Sequence, residues 1–280
     1  MNKYYVLLFI FLLPAIRGQS LEKEIQEINS LLSAEKIQEA RTKTEDLLTV
    51  HPRQPALKYL LAFCLAEDSE LEVKKESARL ALEVVSNPSV SSSLYGNAAN
   101  LALTVAHNSD SEELILLASE QVVLRSRERP LVGEEGEETL VFGLTLLGEQ
   151  LLVGGETERA EELLLPETGR SEGSVALGLL QLLVLRLKER KEGGGDRSRS
   201  DAHLLTIRPG DQQEMEDTQE MMKRIQEKWN MKGSSMSEEY DEILELLVEL
   251  GVYASKYQRP GWYEDDLPSP FTQISLQARK

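Results

Sequence analysis

The sequence predicts an all-α protein in which antiparallel helix hairpins stack in series and end in a C-terminal helical hairpin. Apolar residues recur three and four positions apart along most of the chain, the period of one helix face. Pro and Gly interrupt that pattern at intervals of one short helix. Aromatic residues make up only 5% of the chain, and no alternating apolar run flanks an Asn-Gly or Asp-Gly turn, so nothing announces a sheet.

The first element is a leader. Lys3 gives a basic start, Tyr4 to Ile16 is an apolar run broken late by Pro14, and Gly18 is a small residue ahead of polar Gln19-Ser20. That order describes a secretory signal peptide over residues 1–18. A membrane anchor would need about 20 apolar residues in succession, and this run is shorter. No later stretch is apolar for long enough to span a bilayer, so the remainder is expected to have no membrane span. Removal of Lys3 and Arg17 with the leader leaves 29 basic residues against 48 acidic ones. Such a field repels nucleic acid and anionic lipid and favours basic protein partners.

From residue 19 the periodicity predicts helices over 21–32, 36–50, 55–66, 70–86, 91–107, 111–127, 135–153, 157–165, 172–190, 212–230 and 237–258. Pro52, Pro55, Asn87-Pro88, Pro130, Gly154-Gly155, Pro166 and Gly193 to Gly195 separate them. Ser69 with Glu72, and Ser235 with Glu238, have capping-box spacing at two helix starts. Short helices joined by short links pack on their sequence neighbours, so residues 19–190 are expected to form one helical-repeat domain. Residues 191–211 are glycine-rich and charged and read as a flexible linker. Residues 212–258 carry two apolar stripes, Met215, Thr218, Met222, Ile225, Trp229 and Ile243, Leu247, Leu250, Ala254, Tyr257, which predict the helical hairpin. The first stripe has two readings: it caps the repeat domain, or Met215 and Met222 receive a partner helix.

Leu147, Gly148, Leu151, Gly155, Ala160 and Leu164 fall at the large-small-large spacing of a helix pair that packs closely. This set resembles the tetratricopeptide repeat, as do Ala40, Leu47 and Pro52 at a second-helix ending and Leu61, Ala62 and Leu65 at the next first helix. Ala118 and Pro130 repeat the separation of Ala40 and Pro52. The resemblance covers patches of residues 36–165 and lacks the family's usual aromatic positions. It implies small residues at close helix crossings, a proline that stops each second helix, and a groove that holds peptide. An armadillo-like array is the alternative solenoid.

Chemistry is harder to find. Only Cys64 is present, so no internal disulfide forms. It reads as a small core group, or as a reactive or intermolecular thiol. His51, His107 and His203 have no second His or Cys at metal-ligand spacing, and each reads as a surface or helix-end residue. No nucleophile elbow, phosphate loop or dinucleotide fingerprint occurs. Asn108, Asp110 and Glu112 alternate like the start of a calcium loop, but Glu113 stands where the turn requires Gly. No enzyme, cofactor or metal site is therefore expected.

The tail, residues 259–280, contains Trp262, Tyr263 and Phe271 beside Glu264, Asp265 and Asp266. It reads either as a docking motif with aromatic anchors or as a cover for the last helix. Tyr240 and Tyr263 also stand in acidic contexts that resemble tyrosine-sulfation sites. The expected function is a non-catalytic scaffold or adaptor of the secretory pathway, secreted or luminal, binding a protein or peptide segment in a helical groove. One alternative is a luminal Hsp70 cochaperone of the armadillo-like nucleotide-exchange type, although the final Gln277-Ala-Arg-Lys280 is not a usual retrieval signal. The other is a helical enzyme with an unrecognised site.

Overall fold

The computed structural model describes residues 19–167, 170, 174–193, 197–204, 206–207, 210, 212–231 and 240–248. The predicted leader (1–18) and tail (259–280, with Trp262, Tyr263 and Phe271) lie outside the described residues, as does the Ser235 capping box. Among the described residues all regular structure is helical. Eleven helices are bounded in chain order: α1 Gln19–Ser33, α2 Ile37–Val50, α3 Pro55–Leu65, α4 Leu71–Val85, α5 Ser92–His107, α6 Glu112–Glu128, α7 Glu134–Gly154, α8 Thr157–Leu164, α9 Val175–Lys191, α10 Ser198–Leu204 and α11 Gln212–Met231. Residues 240–248 are helical as well. No helix among the described residues is long and apolar enough to cross a membrane.

The chain divides into two compact units, residues 1–143 and 144–280, and the division falls inside α7. The composition shift near residue 190 predicts a boundary there instead. That position cuts through a core, because α9 packs on α8 before it and on α10 and α11 after it.

In the first unit α1 to α6 pack in succession, each on its sequence neighbour, with further contacts of α1 on α3, α3 on α5 and α4 on α6. Alanine makes this closeness possible. Ala40 in α2, Ala62 in α3, Ala78 and Ala81 in α4, and Ala98, Ala99, Ala102 and Ala106 in α5 are fully buried. Where α4 meets α3, the Ser77 hydroxyl donates to the Ala62 carbonyl at 2.6 Å, which satisfies a polar group that burial would otherwise make costly. The helix ends follow their chemistry. Pro52 stands directly after His51, the C-cap of α2, and Pro55 opens α3 at the position where a missing N–H costs nothing. Ser91 and Ser111 cap α5 and α6 by accepting from the Leu94 and Leu114 amides at 3.2 and 3.4 Å. Ser69 does not cap α4 as its spacing predicts. The cap residue is Glu70, whose amide donates to Asp68 Oδ1 in a local turn.

In the second unit α9 is the centre, with every residue from Leu177 to Leu187 buried. A helix apolar on all sides belongs inside a core, and here α8, α10 and α11 supply the cover. Gly148 of α7 sits where an added Cβ would lie 3.0 Å from both methyls of Leu164 in α8 and 3.3 Å from Leu180 in α9. Ala160 is likewise fully buried. Gly155 has a different part from the one its spacing predicts. It takes φ +76° and ends α7, with its own amide on Leu152 O and the Glu156 amide on Leu151 O.

The segment predicted as a flexible linker contains α10. Ser200 gives its amide and hydroxyl to the Glu189 carboxylate at 3.1 and 2.7 Å, and Arg186 reaches Asp201 at 2.9 Å. Leu204 and Ile207 are buried, Ile207 against the bare face of Gly178. Two apolar residues are too few to register as a period, so polar contacts with α9 carry an order that the composition conceals. Residues 212–231 and 240–248 of the predicted C-terminal hairpin are helical, and Trp229 of α11 meets Tyr240 edge-on, ring centroids 5.8 Å apart. Leu250, Ala254 and Tyr257 of the second stripe lie outside the described residues.

Candidate functional site

Several of the groups singled out in the sequence are sealed. Burial pushes the Cys64 thiol up to about 11, and the residue is 6% exposed, so it is a core group without the thiolate that reactivity requires. Met215 and Met222 are 2% and 0% exposed, and the stripe they belong to is spent on the core of its own unit, with α11 against α9. Neither methionine is open to a partner helix. Tyr240 is 1% exposed, and burial raises its hydroxyl well above the ordinary value, so it is no surface for a modifying enzyme. Trp262, Tyr263 and Phe271 lie outside the described residues.

The three histidines separate by environment. His51 is exposed at the end of α2, and His107 stands edge-on to Phe142 at 5.7 Å. His203, predicted at a surface, is buried in α10 with Nε2 3.1 Å from the Gly178 carbonyl. A carbonyl only accepts, so Nε2 carries the proton of a neutral ring. Burial is the main cause of a pKa below the ordinary 6.5, opposed by that hydrogen bond. The unfolded chain therefore takes up a proton first as pH falls. Stability is expected to be intact above pH 6.5 and to decline as pH drops below it toward the folded value. His203→Gln, which keeps an N–H for Gly178, should flatten that decline in urea titrations across the acidic range. An unchanged slope would refute the assignment.

What remains open is a groove in the first unit, about 600 Å³ in volume, between α4 and α6 with α3 at its edge. Leu82 and Leu114 form the floor, 4% and 5% exposed, and Leu117 stands at the mouth at 46%. α4 contributes Lys75, Arg79 and Glu83, α3 contributes Lys58, and α6 contributes Glu113 and Gln121. Lys58 and Arg79 both pair with Glu83, and Arg79 also holds Glu76 at 2.6 Å. The bond to Glu76 is the main reason the Arg79 pKa rises and the Glu76 pKa falls. Lys75 is held above its ordinary value chiefly by its hydrogen bond to Glu72, with a smaller pull from Glu113 across the groove. The Lys74 ammonium donates to Asn108 O at 2.6 Å and ties the start of α4 to the segment before α6.

The groove joins an apolar floor to a rim of fixed charges of both signs. It can take an apolar side chain and meet polar groups around it, the ordinary make-up of a protein-recognition site. A second, more open depression of about 640 Å³ lies between α1 and α2, lined by Glu24, Gln38, Glu39, Thr42, Lys43, Asp46 and Leu47. Lys43 there is held by Glu24 and Glu27, with Leu47 the one apolar side chain in the lining, so it offers charge without an anchor. Among the described residues no three His, Cys, Asp or Glu side chains gather as a metal site. Sequence reasoning does not find the α4–α6 groove, whose walls come from positions some thirty residues apart. The chain matches no protein-family model and no curated protein sequence.

Proposed function

We propose that the protein is a non-catalytic scaffold of the secretory route that holds a segment of a partner protein in the α4–α6 groove. The observation that carries this reading is Leu117, half exposed at the mouth of a groove floored by Leu82 and Leu114. A few desolvated apolar anchors supply most of the energy of protein recognition, while charged rims set orientation. The groove suits an amphipathic segment whose apolar side chain displaces water over Leu82 and whose polar neighbours meet Lys75, Arg79 and Glu113. The leader supports the compartment. The acidity of the chain as a whole draws in segments with a net positive charge, while the mixed lining of the groove meets polar groups of either sign.

The test is selection of displayed peptides on the mature chain, with Leu117→Glu as the control. Leu117 is exposed, so this change leaves the fold intact, which circular dichroism checks. Selected segments should carry apolar anchors and bind the variant about tenfold or more weakly. Failure to select any segment, or equal binding by the variant, would overturn the proposal.

A further inference from the structure

We infer that, in the absence of a client, the groove is covered by a second copy of this chain, packed face to face about a two-fold axis. The inference rests on the groove being a protein-binding site and names its resting occupant. Among the described residues of the first unit the exposed large apolar side chains are Val50, Leu71, Leu117, Leu124 and Val132. Three of these five stand on the two helices that form the groove. Leu71, Lys75, Arg79 and Leu82 follow one another at three or four residues on α4, so Leu71 (41% exposed) extends the groove stripe toward the start of that helix. Leu124 (53% exposed) lies seven residues beyond Leu117 and extends it along α6. The apolar surface therefore runs past both ends of the groove, longer than a single anchoring side chain requires.

Charge selects the occupant. The whole chain carries a formal charge of −17, so two copies repel over most of their surfaces. The groove lining carries both signs in near balance, with Lys58, Lys75 and Arg79 against Glu83 and Glu113. Two-fold association uses the same patch on both partners and needs that patch to be complementary to itself. This one is: on the α4 wall Glu83 is already paired with Lys58 and Arg79 and Lys75 is held by the exposed Glu72, while the α6 wall presents Glu113. Turned about a two-fold axis, α6 of one copy faces α4 of the other. Glu113 then meets Lys75 of the second copy on each side of the axis, and Leu117 enters the opposite groove above Leu82.

The experiment is sedimentation equilibrium of the full mature chain. The wild type should be a monomer–dimer system, and Leu117→Glu should raise its dissociation constant about tenfold or more with unchanged helicity. Charge exchange adds a readout that loss of folding would not give. Lys75→Glu alone and Glu113→Lys alone should each weaken self-association, and an equimolar mixture of the two should form heterodimers. In that mixture one interface pair is the native Lys75–Glu113 and the other is its reversal. A wild type that stays monomeric, or variants whose mixture does not associate, would overturn the inference. A monomer that still binds selected peptides through Leu117 leaves the scaffold reading standing and sinks the dimer. A dimer that binds no peptide does the reverse.

Discussion

Trp229→Ala is expected to lower the unfolding free energy of the 144–280 unit by about 3–5 kcal/mol, the range for deleting a buried aromatic. Trp229 is 4% exposed and occupies the meeting point of three elements. Its Nε1–H donates to Leu152 O in the last turn of α7 at 2.6 Å, and its ring takes the edge of Tyr240 at 5.8 Å. Truncation opens a cavity beside α11, removes the aromatic pair and returns the Leu152 carbonyl to one partner, the Gly155 amide. Nearby polar contacts do not replace these terms. Arg224 bonds Glu149 at 2.7 Å, but Arg224 is about half exposed, so water screens that pair. Trp229→Phe separates the contributions, keeping a ring and losing the N–H, and should cost about 1–2 kcal/mol. Urea unfolding followed by circular dichroism gives both values. A loss below about 1 kcal/mol for the alanine variant would mean that α11 is not held to its unit through this residue.

The helices were legible because two independent signals coincide in them. In α2 the spacing of Ala40, Thr44 and Leu47 sets the face, and Pro52 sets the stop. α10 lacks both signals: its buried residues are Ser200, His203 and Leu204, and what orders them is Glu189, Arg186 and Gly178 in another helix. Such long-range polar contacts have no period. The stripe of Met215, Met222, Ile225 and Trp229 was legible as a stripe, but core and partner surface have the same composition, so only burial tells them apart. The groove did leave one trace. Leu114, Ile115, Leu116, Leu117 and Ala118 are consecutive in α6, and five successive positions span more than one helix face. One of them had to look away from the core, and it is Leu117. Glycine carried two meanings that spacing alone does not resolve: Gly155 is needed for its positive φ, whereas Gly148 is needed for its missing side chain.

Gly148 therefore supplies the second large effect. In an exposed helix interior, replacing Gly by Ala gains about 1 kcal/mol, because the unfolded chain loses freedom and the helix is better formed. Here the added Cβ would arrive 3.0 Å from Leu164 Cδ1 and Cδ2 and 3.3 Å from Leu180 Cδ1, and both leucines are fully buried. Neither can swing into solvent, so Gly148→Ala should cancel its own helical gain and come out near neutral or mildly destabilising. Gly148→Val adds two further methyls to the same crossing of α7, α8 and α9, and should cost about 3 kcal/mol or more, the upper end for overpacking a core. Leu164 is the nearest obstacle, so Leu164→Ala, itself destabilising by about 2–5 kcal/mol, should make room for the valine. The double variant is expected to be more stable than the sum of the two losses by about 1–2 kcal/mol, within the range for residues in contact. A strictly additive cycle would show that Gly148 is not the point of closest approach between these helices. The small residue at that spacing would then owe its place to something other than packing.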